Sequence, residues 1–220
     1  MHISDGVLTA QWVVIWYIVA LFFTLLGLSF IHKKQQEQEE YIATLALLGA
    51  AVFIISVWHI PVPVTGSSSH PIGTPMASLV IGPFATVVVS IIGLFFHMFL
   101  GHGGITTLGA NTVSLGIVGS FLGFGTYYLL RFFHLSVWWS AGIAAFAGNI
   151  GTYCTTALEL ALSLFPDTVF PHFLLFALGF VPTQLPLAIM EFFFTAYIIS
   201  YLHKVKPKML YSFKTLKEGF

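Results

Sequence analysis

Charged residues are scarce in this sequence. Asp, Glu, Lys and Arg together make up 7% of its 220 residues, whereas a soluble domain carries about 25%. Hydrophobic residues make up 57% of the chain, and the mean hydropathy is +0.93. This composition excludes a water-soluble globular domain and predicts a protein embedded in a lipid bilayer. The formal net charge of zero also argues against a nucleic-acid partner.

Cysteine pairs and common catalytic motifs are missing as well. The single cysteine, Cys154, cannot form an internal disulfide bond. The sequence contains no Walker A motif, no G-x-S-x-G and no H-E-x-x-H. It therefore carries no visible energy source and no hydrolytic nucleophile, and we expect that it is not an enzyme.

Long apolar runs predict an all-α protein with seven transmembrane helices. A spanning helix needs about 20 residues, and continuous runs favour helices over the short alternating segments of a β-barrel. Pro83 separates the third span from the fourth, because proline interrupts helical hydrogen bonding. The predicted spans are residues 9–31, 41–58, a short 72–81, 83–100, 112–132, 137–164 and 172–202.

Positive charge predicts the orientation of these spans. The first apolar run has no positive charge before it and Lys33 and Lys34 after it, which predicts an uncleaved first span with its N-terminus outside. With seven spans, all eight Lys and Arg residues fall on the cytoplasmic side. Residues 1–202 would then form one transmembrane metal-binding domain in the cell membrane, and residues 203–220 a basic cytoplasmic tail.

The same topology gathers histidines at the outer face. The N-terminus, the loop of residues 61–70 and the glycine-rich loop of residues 101–111 share that side. Six of the nine histidines lie at or near it: His2, His59, His70, His97, His102 and His172.

The first two residues could chelate a metal ion. The Met1 amine, the backbone nitrogen of His2 and the Nδ1 atom of its ring can close two adjacent chelate rings. If the amide deprotonates, the three nitrogens lie in one plane, and tetragonal nitrogen sites suit Ni(II) or Cu(II). The alternative is that His2 is only a polar end residue.

Two loops offer further candidates. His70, held extended by the proline that follows it, could supply a fourth ligand, or it could be a surface histidine bonded to a serine. His102 could ligate directly or support a ligand, and Asn111 could anchor a neighbouring loop, unless residues 101–111 are a flexible connector. Asp5 favours a turn, and Gly6 permits a sharp reversal of the N-terminal segment into a cavity between the helix ends.

Two carboxylates fall within apolar helices, where an ionisable side chain suggests function. Glu159, about two turns from the outer end of its helix, could support the outer site. Glu191 lies deeper and is expected to meet a partner subunit or the interface. Either side chain could instead be a hydrogen-bonded carboxyl group.

Three sequence blocks resemble a known family. They are MHISDG at the N-terminus, SSSHPIG followed by GPFA, and GHGGITTLGANTVSLGIVG. These blocks resemble the CbiM/NikM family, the substrate-specific membrane component of energy-coupling-factor nickel/cobalt transporters. The resemblance extends from Met1 to about Leu202.

The resemblance implies a fold, a set of ligands and a set of partners. The fold would be a six-helix substrate-binding core with one added N-terminal helix. Ni(II) or Co(II) would be bound as the transported substrate by the Met1 amine, by the backbone nitrogen and imidazole of His2, and by His70. A transmembrane scaffold subunit, ATPase subunits and in some systems a small accessory membrane protein would complete the transporter. Asp5, His102 and Asn111 would surround the ligands.

Other functions remain open at this point. A self-sufficient secondary transporter or channel could couple metal to protons through Glu159 and Glu191, but no inverted repeat is visible. An intramembrane metalloenzyme would need an open metal position and an adjacent base. The sequence does not separate nickel from cobalt, or cobalamin biosynthesis from supply of a nickel enzyme.

Overall fold

A computed structural model of the chain describes residues 2–62 and 67–211, and helices dominate it. The all-α prediction is confirmed at this level. The helices are α1 (Ala10–Glu37), α2 (Tyr41–Ile55), α3 (Thr74–Ile81), α4 (Pro83–Phe99), α5 (Leu108–Phe132), α6 (Val137–Leu164) and α7 (Val169–Val205). Short 3₁₀ turns at Pro166–Thr168 and Pro207–Met209 flank α7.

A small sheet joins the N-terminus to the loop between α2 and α3. Its strands are β1 (His2–Ile3), β2 (Ile60–Val62) and β3 (Ser67–Ser69). The order is β1-β3-β2, and both pairs are antiparallel. Two distant parts of the sequence are thereby held side by side.

The break predicted at Pro83 is present. Helix α3 ends at Ile81 and α4 begins at Pro83, which occupies the first helical position, where its missing N–H costs no hydrogen bond. The eight residues of α3 reach only about 12 Å, so this helix alone is too short for a hydrocarbon core of roughly 30 Å. The whole of α3 is buried within the protein.

Several helix boundaries differ by three or more residues from those predicted, among them the end of α2, which is at Ile55 and not at Trp58. Helix α1 continues to Glu37 as a polar extension, and α7 begins at Val169. Helix α5 begins at Leu108, because the turn that contains Asn111 is already helical. Residues Thr112–Val118 of α5 have π-helical bonding, a feature that is frequent at functional sites.

Several helices have the length and hydropathy of membrane spans. Within the described residues these are α1, α5 and the helical stretch Pro166–Val205. Large apolar side chains on α1, including Ile18, Leu21 and Phe22, are more than half exposed, as expected of a lipid-facing surface. The protein is a multi-pass membrane protein.

The two ends of the bundle differ in chemistry. At one end, the lysine end, Lys34 and Lys208 line a cavity of about 450 Å³ together with Tyr41 and Tyr211. At the other, the histidine end, the small sheet meets the loop between α4 and α5. A core cluster that includes Tyr41, Leu79, Ala144 and Ile199 fills the bundle next to the lysine end.

Candidate metal site

The small sheet brings three histidines to one edge. His2 lies opposite Ser68, and Ile60 lies opposite Ser69. His59 and His70 are the next residues of their strands beyond this last pair. Ser67 also donates a hydrogen bond to the carbonyl of His2 at 3.0 Å. The register of the sheet therefore places the imidazoles of His2, His59 and His70 together.

The first turn of α5 anchors the N-terminal segment. The Asn111 side chain accepts a hydrogen bond from the Ile3 amide at 2.8 Å and donates one to the Ile3 carbonyl at 3.3 Å. Thr107 donates a second hydrogen bond to that carbonyl at 2.8 Å. Ile3 is completely buried and packs against Ala157 and Leu160 of α6. The segment before α1 is thus built into the protein.

Asp5 holds the next part of the segment. One of its carboxylate oxygens accepts hydrogen bonds from both the backbone amide, at 2.9 Å, and the hydroxyl of Thr106. The hydrogen bond from the Thr106 hydroxyl lowers the pKa of Asp5. A Cβ atom at Gly104 would lie 2.2 Å from the Asp5 Cβ, so only glycine admits this approach. Gly6 follows with a φ of +75°, where the chain turns towards α1.

The end of α4 positions two more histidines. The His102 amide bonds to the His97 carbonyl at 3.1 Å, and the Gly101 amide bonds to the Met98 carbonyl at 3.0 Å. This pair of hydrogen bonds is a Schellman motif. Its left-handed residue is Gly101, whose φ is +77°. The motif folds His102 back over the last turn of α4, close to His97.

Five imidazoles form one cluster, which we call the histidine cluster: His2, His59, His70, His97 and His102. The ring centroid of His2 lies 4.3 Å from that of His70, 4.8 Å from that of His59 and 5.0 Å from that of His97. The rings of His59 and His102 stack at 3.4 Å. One nitrogen from each of His2, His59 and His97 lies within 4.8 Å of the other two.

The electrostatic environment keeps these rings neutral. Burial lowers the pKa of His2 and of His70 well below the usual value, and each of the two also has a neighbouring imidazole that opposes protonation. Burial lowers the pKa of His59 to about 4. Because neutral imidazoles retain a lone pair, these side chains are available as metal ligands near neutral pH.

His70 has a defined donor and a defined acceptor. Its Nδ1 lies 2.7 Å from the Pro71 carbonyl, which can only accept, so this nitrogen carries the proton. The other nitrogen, Nε2, is buried and has no hydrogen-bond partner among the described residues. A histidine ligand that donates its second nitrogen to a carbonyl is the usual arrangement in metal sites.

The candidates named from the sequence come together in part. His2, His70 and His102 belong to the histidine cluster, and Asn111 and Asp5 hold the backbone that carries His2. Met1 lies outside the described residues. His172, expected on the same face, is not in the cluster and stacks on Phe165 at 3.7 Å.

Sequence reasoning gave no role to His59 or His97. It placed both near the same face, but only the sheet register and the Schellman motif reveal that they meet His2. The signals were their positions, one residue before the Ile60–Val62 strand and two residues before the end of α4 at the glycine-rich loop.

The two buried carboxylates have different surroundings. Glu191 is a buried, hydrogen-bonded carboxyl group, which is the alternative that the sequence left open. One of its oxygens accepts hydrogen bonds from the amides of Ile72 and Gly73, and the other accepts one from Asn149 at 2.9 Å. Glu159 is fully buried against Ser114, one turn along α5 from Asn111. It lies beneath the N-terminal segment, where it was expected.

A multi-pass helical membrane protein with nitrogen ligands gathered at one end has the features of a transition-metal transport component. Comparisons with known proteins agree. The profile of a family described as the cobalt uptake substrate-specific transmembrane region, CbiM, matches residues 2–209. This chain belongs to that family.

Two similar proteins and one solved structure match over at least 90% of their own length. A cobalt transport protein CbiM of Sorangium cellulosum is 40% identical over 212 residues, with 96% of this chain and 94% of that protein covered. One from Thermosipho melanesiensis is 40% identical, with 96% and 90% covered. The crystal structure of a truncated transition metal transporter has a TM-score of 0.81 at 25% identity, with 93% of this chain and 99% of that chain covered.

Proposed function

We propose that this chain is the substrate-capture component of an ATP-driven importer for Co(II) or Ni(II). The observation that carries the proposal is the buried imidazole pair of His2 and His70, whose ring centroids lie 4.3 Å apart. Because His2 lies on the N-terminal segment, the proposal gives that segment a role in metal binding. The pair is a binding site and not a reaction centre, which favours transport over catalysis.

The ion would be held by four nitrogens in one plane. Three come from the N-terminus: the Met1 amine, the His2 backbone nitrogen and the His2 Nδ1. The fourth is the Nε2 of His70, which is supported by its free lone pair and by the hydrogen bond that fixes the opposite nitrogen. Asn111 and Asp5 would fix the register of the N-terminal segment, and His102 would cover the site.

Cobalt is the favoured substrate within this proposal. The relatives are named as cobalt transport proteins. Nickel remains a second substrate, because a planar nitrogen site suits Ni(II) as well. Supply of cobalt for cobalamin biosynthesis would be the corresponding pathway.

The orientation follows from the two ends of the bundle. With seven passages, the short stretch 72–81 would make the third, since a short or partly non-helical segment is tolerated at membrane depth when it is buried in protein. Lys34 and Lys208 lie at the same end, which supports a cytoplasmic lysine end and an outer histidine end. Residues 203–220 would be the basic cytoplasmic tail.

The partners would supply the energy. A scaffold subunit embedded in the bilayer and ATPase subunits would complete the importer, with a small accessory membrane protein as a further candidate. The chain alone should bind metal without accumulating it. Sustained ATP-independent accumulation in proteoliposomes that contain only this protein would instead establish a secondary transporter.

The N-terminal chelate can be tested by changing its register. Two residues inserted between Met1 and His2 move the ring of His2 out of the two adjacent chelate rings, although every histidine is retained; a single inserted residue would instead place the histidine third, where amine, two amides and imidazole can themselves enclose Ni(II). We expect tight Co(II) and Ni(II) binding to be lost in isothermal titration, while the protein with two residues inserted in the exposed turn at Glu39 binds normally. Unchanged affinity in the N-terminal variant would refute the chelate.

A further inference from the structure

The histidine cluster contains more nitrogen donors than one planar site uses. The proposed chelate takes only His2 and His70 from it. His59 and His97 are left over, yet both rings lie about as close to His2 as His70 does, with centroids at 4.8 and 5.0 Å. Nothing in the proposed four-nitrogen plane explains why two more imidazoles should be there.

Hydrogen bonds define which nitrogen of His59 carries a proton. Its Nδ1 lies 2.7 Å from the Val57 carbonyl and must donate to it. The lone pair is therefore on Nε2, which accepts a hydrogen bond from the Nδ1 of His2 at 2.7 Å. An ion would take the place of the shared proton, which can move to the unpartnered Nε2 of His2. With each nitrogen at about 2.0–2.1 Å from a tetrahedral ion, the two nitrogens would separate only to about 3.3 Å.

The same reasoning applies to His97. Its Nε2 lies 3.1 Å from the Ser56 hydroxyl. That hydroxyl is 2.6 Å from the Val52 carbonyl and donates its own proton there, so Nε2 must be the donor to it. The lone pair of His97 is then on Nδ1, which is buried and has no hydrogen-bond partner in residues 2–62 and 67–211.

Exposure orders the cluster from solvent inwards. His59 and His102 are partly exposed, whereas His2, His70 and His97 are buried. The stacked ring of His102 restricts the rotation of His59. An ion entering from this side would therefore meet His59 before it reaches His70.

We infer that His2, His59 and His97 form a second metal site, a three-imidazole loading site that receives the ion first and passes it to the planar site. This inference rests on the proposed function. The ion stays divalent throughout. As it moves inward, the His2 ring remains bound, the His2 amide releases its proton to solvent, and the N-terminal nitrogens and His70 replace His59 and His97. Uncharged imidazole ligands favour ions such as Co(II), Ni(II), Cu(II) and Zn(II) over Mg(II) and Ca(II).

Kinetics distinguish a loading site from a final ligand. A loading site speeds entry and exit equally and leaves the equilibrium unchanged. In the His59→Ala/His97→Ala double variant, we expect the association and dissociation rates of Co(II) to fall together by about tenfold or more, the scale on which metal sites respond to loss of an outer group. The dissociation constant should stay within the error of the measurement. Stopped-flow quenching of native tryptophan fluorescence gives both rates.

His172→Ala is the matched control, because this histidine lies outside the cluster and should leave both rates unchanged. A double variant with an unchanged association rate would overturn the loading site. A double variant that loses as much equilibrium affinity as His70→Ala would overturn it too, because His59 or His97 would then be a final ligand.

A second experiment isolates the loading site. In His70→Ala the planar site lacks its fourth ligand, and we expect weak Co(II) binding with the absorption spectrum of a tetrahedral imidazole complex. Adding His59→Ala should abolish that spectrum, and adding His172→Ala should not. If His70→Ala shows no such complex, the loading site is refuted. The N-terminal insertion described above tests the chelate separately, so a wrong loading site and a wrong chelate would give different results.

Discussion

Two buried polar clusters in this protein differ in how far their hydrogen-bonding groups are satisfied. Around Glu191, both carboxylate oxygens accept hydrogen bonds, from the amides of Ile72 and Gly73 and from Asn149. Asn149 in turn accepts a hydrogen bond from Gln184 at 2.8 Å. This network joins α6 and α7 to the start of α3.

The histidine cluster is arranged in the opposite way. Buried ring nitrogens of His2, His70, His97 and His102 have no hydrogen-bond partner among the described residues. An unsatisfied buried polar atom costs about 1–3 kcal/mol, so several in one place are a substantial cost. The assigned lone pairs of His70 and His97 have no partner among the described residues.

The contrast separates a structural role from a binding role. Glu191 accepts hydrogen bonds from two buried amides just before a short buried helix. These hydrogen bonds stabilise the folded state directly. In the histidine cluster, the unpartnered ring nitrogens would be satisfied by a bound metal ion. A buried polar group can therefore have a structural role or a binding role, and its hydrogen-bond partners show which of the two it has.

The largest expected effects come from breaking each cluster in turn. His70→Ala removes the fourth nitrogen of the proposed plane, and most of the Co(II) affinity should be lost in isothermal titration, with little change in the unfolding temperature of the metal-free protein. Glu191→Ala leaves three buried donors without an acceptor, at roughly 1–3 kcal/mol each. The Glu191→Ala variant should have a much lower unfolding temperature, while its folded fraction still binds Co(II).

The outcome that contradicts this contrast is a crossed result. If His70→Ala destabilised the metal-free protein as much as Glu191→Ala, the imidazole would be a structural element. His134→Ala, at the other end of the bundle, is a control that should change neither property.

A second, smaller effect should come from Gly104→Ala. Its new Cβ would lie 2.2 Å from the Cβ of Asp5, so the N-terminal segment must move away and take His2 with it. We expect Co(II) affinity to fall without loss of the fold. Gly125→Ala is the matched control, because a Cβ there meets nothing within 4 Å. Equal affinities of the two variants would show that the segment is not held where the structure places it.

Much of the fold could be predicted from the sequence because lipid imposes simple rules. Long apolar runs gave the helices, and Pro83 marked the boundary between α3 and α4. The span count and orientation remain predictions. The early start of α5 was missed because a glycine-rich stretch such as GHGGITTLGAN favours a loop, whereas Leu108–Asn111 is helical and Asn111 bonds to the N-terminal segment.

The site was predictable only in part, for a physical reason. His70 and Asn111 stand in recognisable local patterns, but His59 and His97 become neighbours of His2 through strand register and a helix C-cap. Neither feature leaves a periodic signal in sequence. The sequence left the role of Glu191 open because an isolated carboxylate in an apolar run shows nothing of its partners, which come from the residues just before α3 and from α6.

Asn111→Ala should have an intermediate effect. The substitution removes the hydrogen bonds to both the amide and the carbonyl of Ile3, and loses the orientation of the adjacent His2. Loss of a supporting group typically reduces metal affinity by about 10–100-fold. Isothermal titration of Co(II) would measure it, with Asn149→Ala as the comparison, because that amide belongs to the Glu191 network and should affect stability more than affinity.

The smallest expected effect is that of Asp5→Ala. Asp5 is exposed, and its carboxylate ties the segment to the glycine-rich loop through Thr106. Co(II) affinity should fall only a few-fold, less than in Asn111→Ala, and Thr106→Val should reproduce part of the loss without adding to it in the double variant.

Because the Thr106 hydrogen bond lowers the pKa of Asp5 in the folded protein, the contact is fully present above the unfolded pKa of about 3.9 and is lost only as pH falls through the lower folded pKa. The difference between wild type and Asp5→Ala should therefore be the same at pH 7 and at about pH 5.5. A difference that disappears between these two pH values would show that the Asp5 carboxylate is not held as the structure describes.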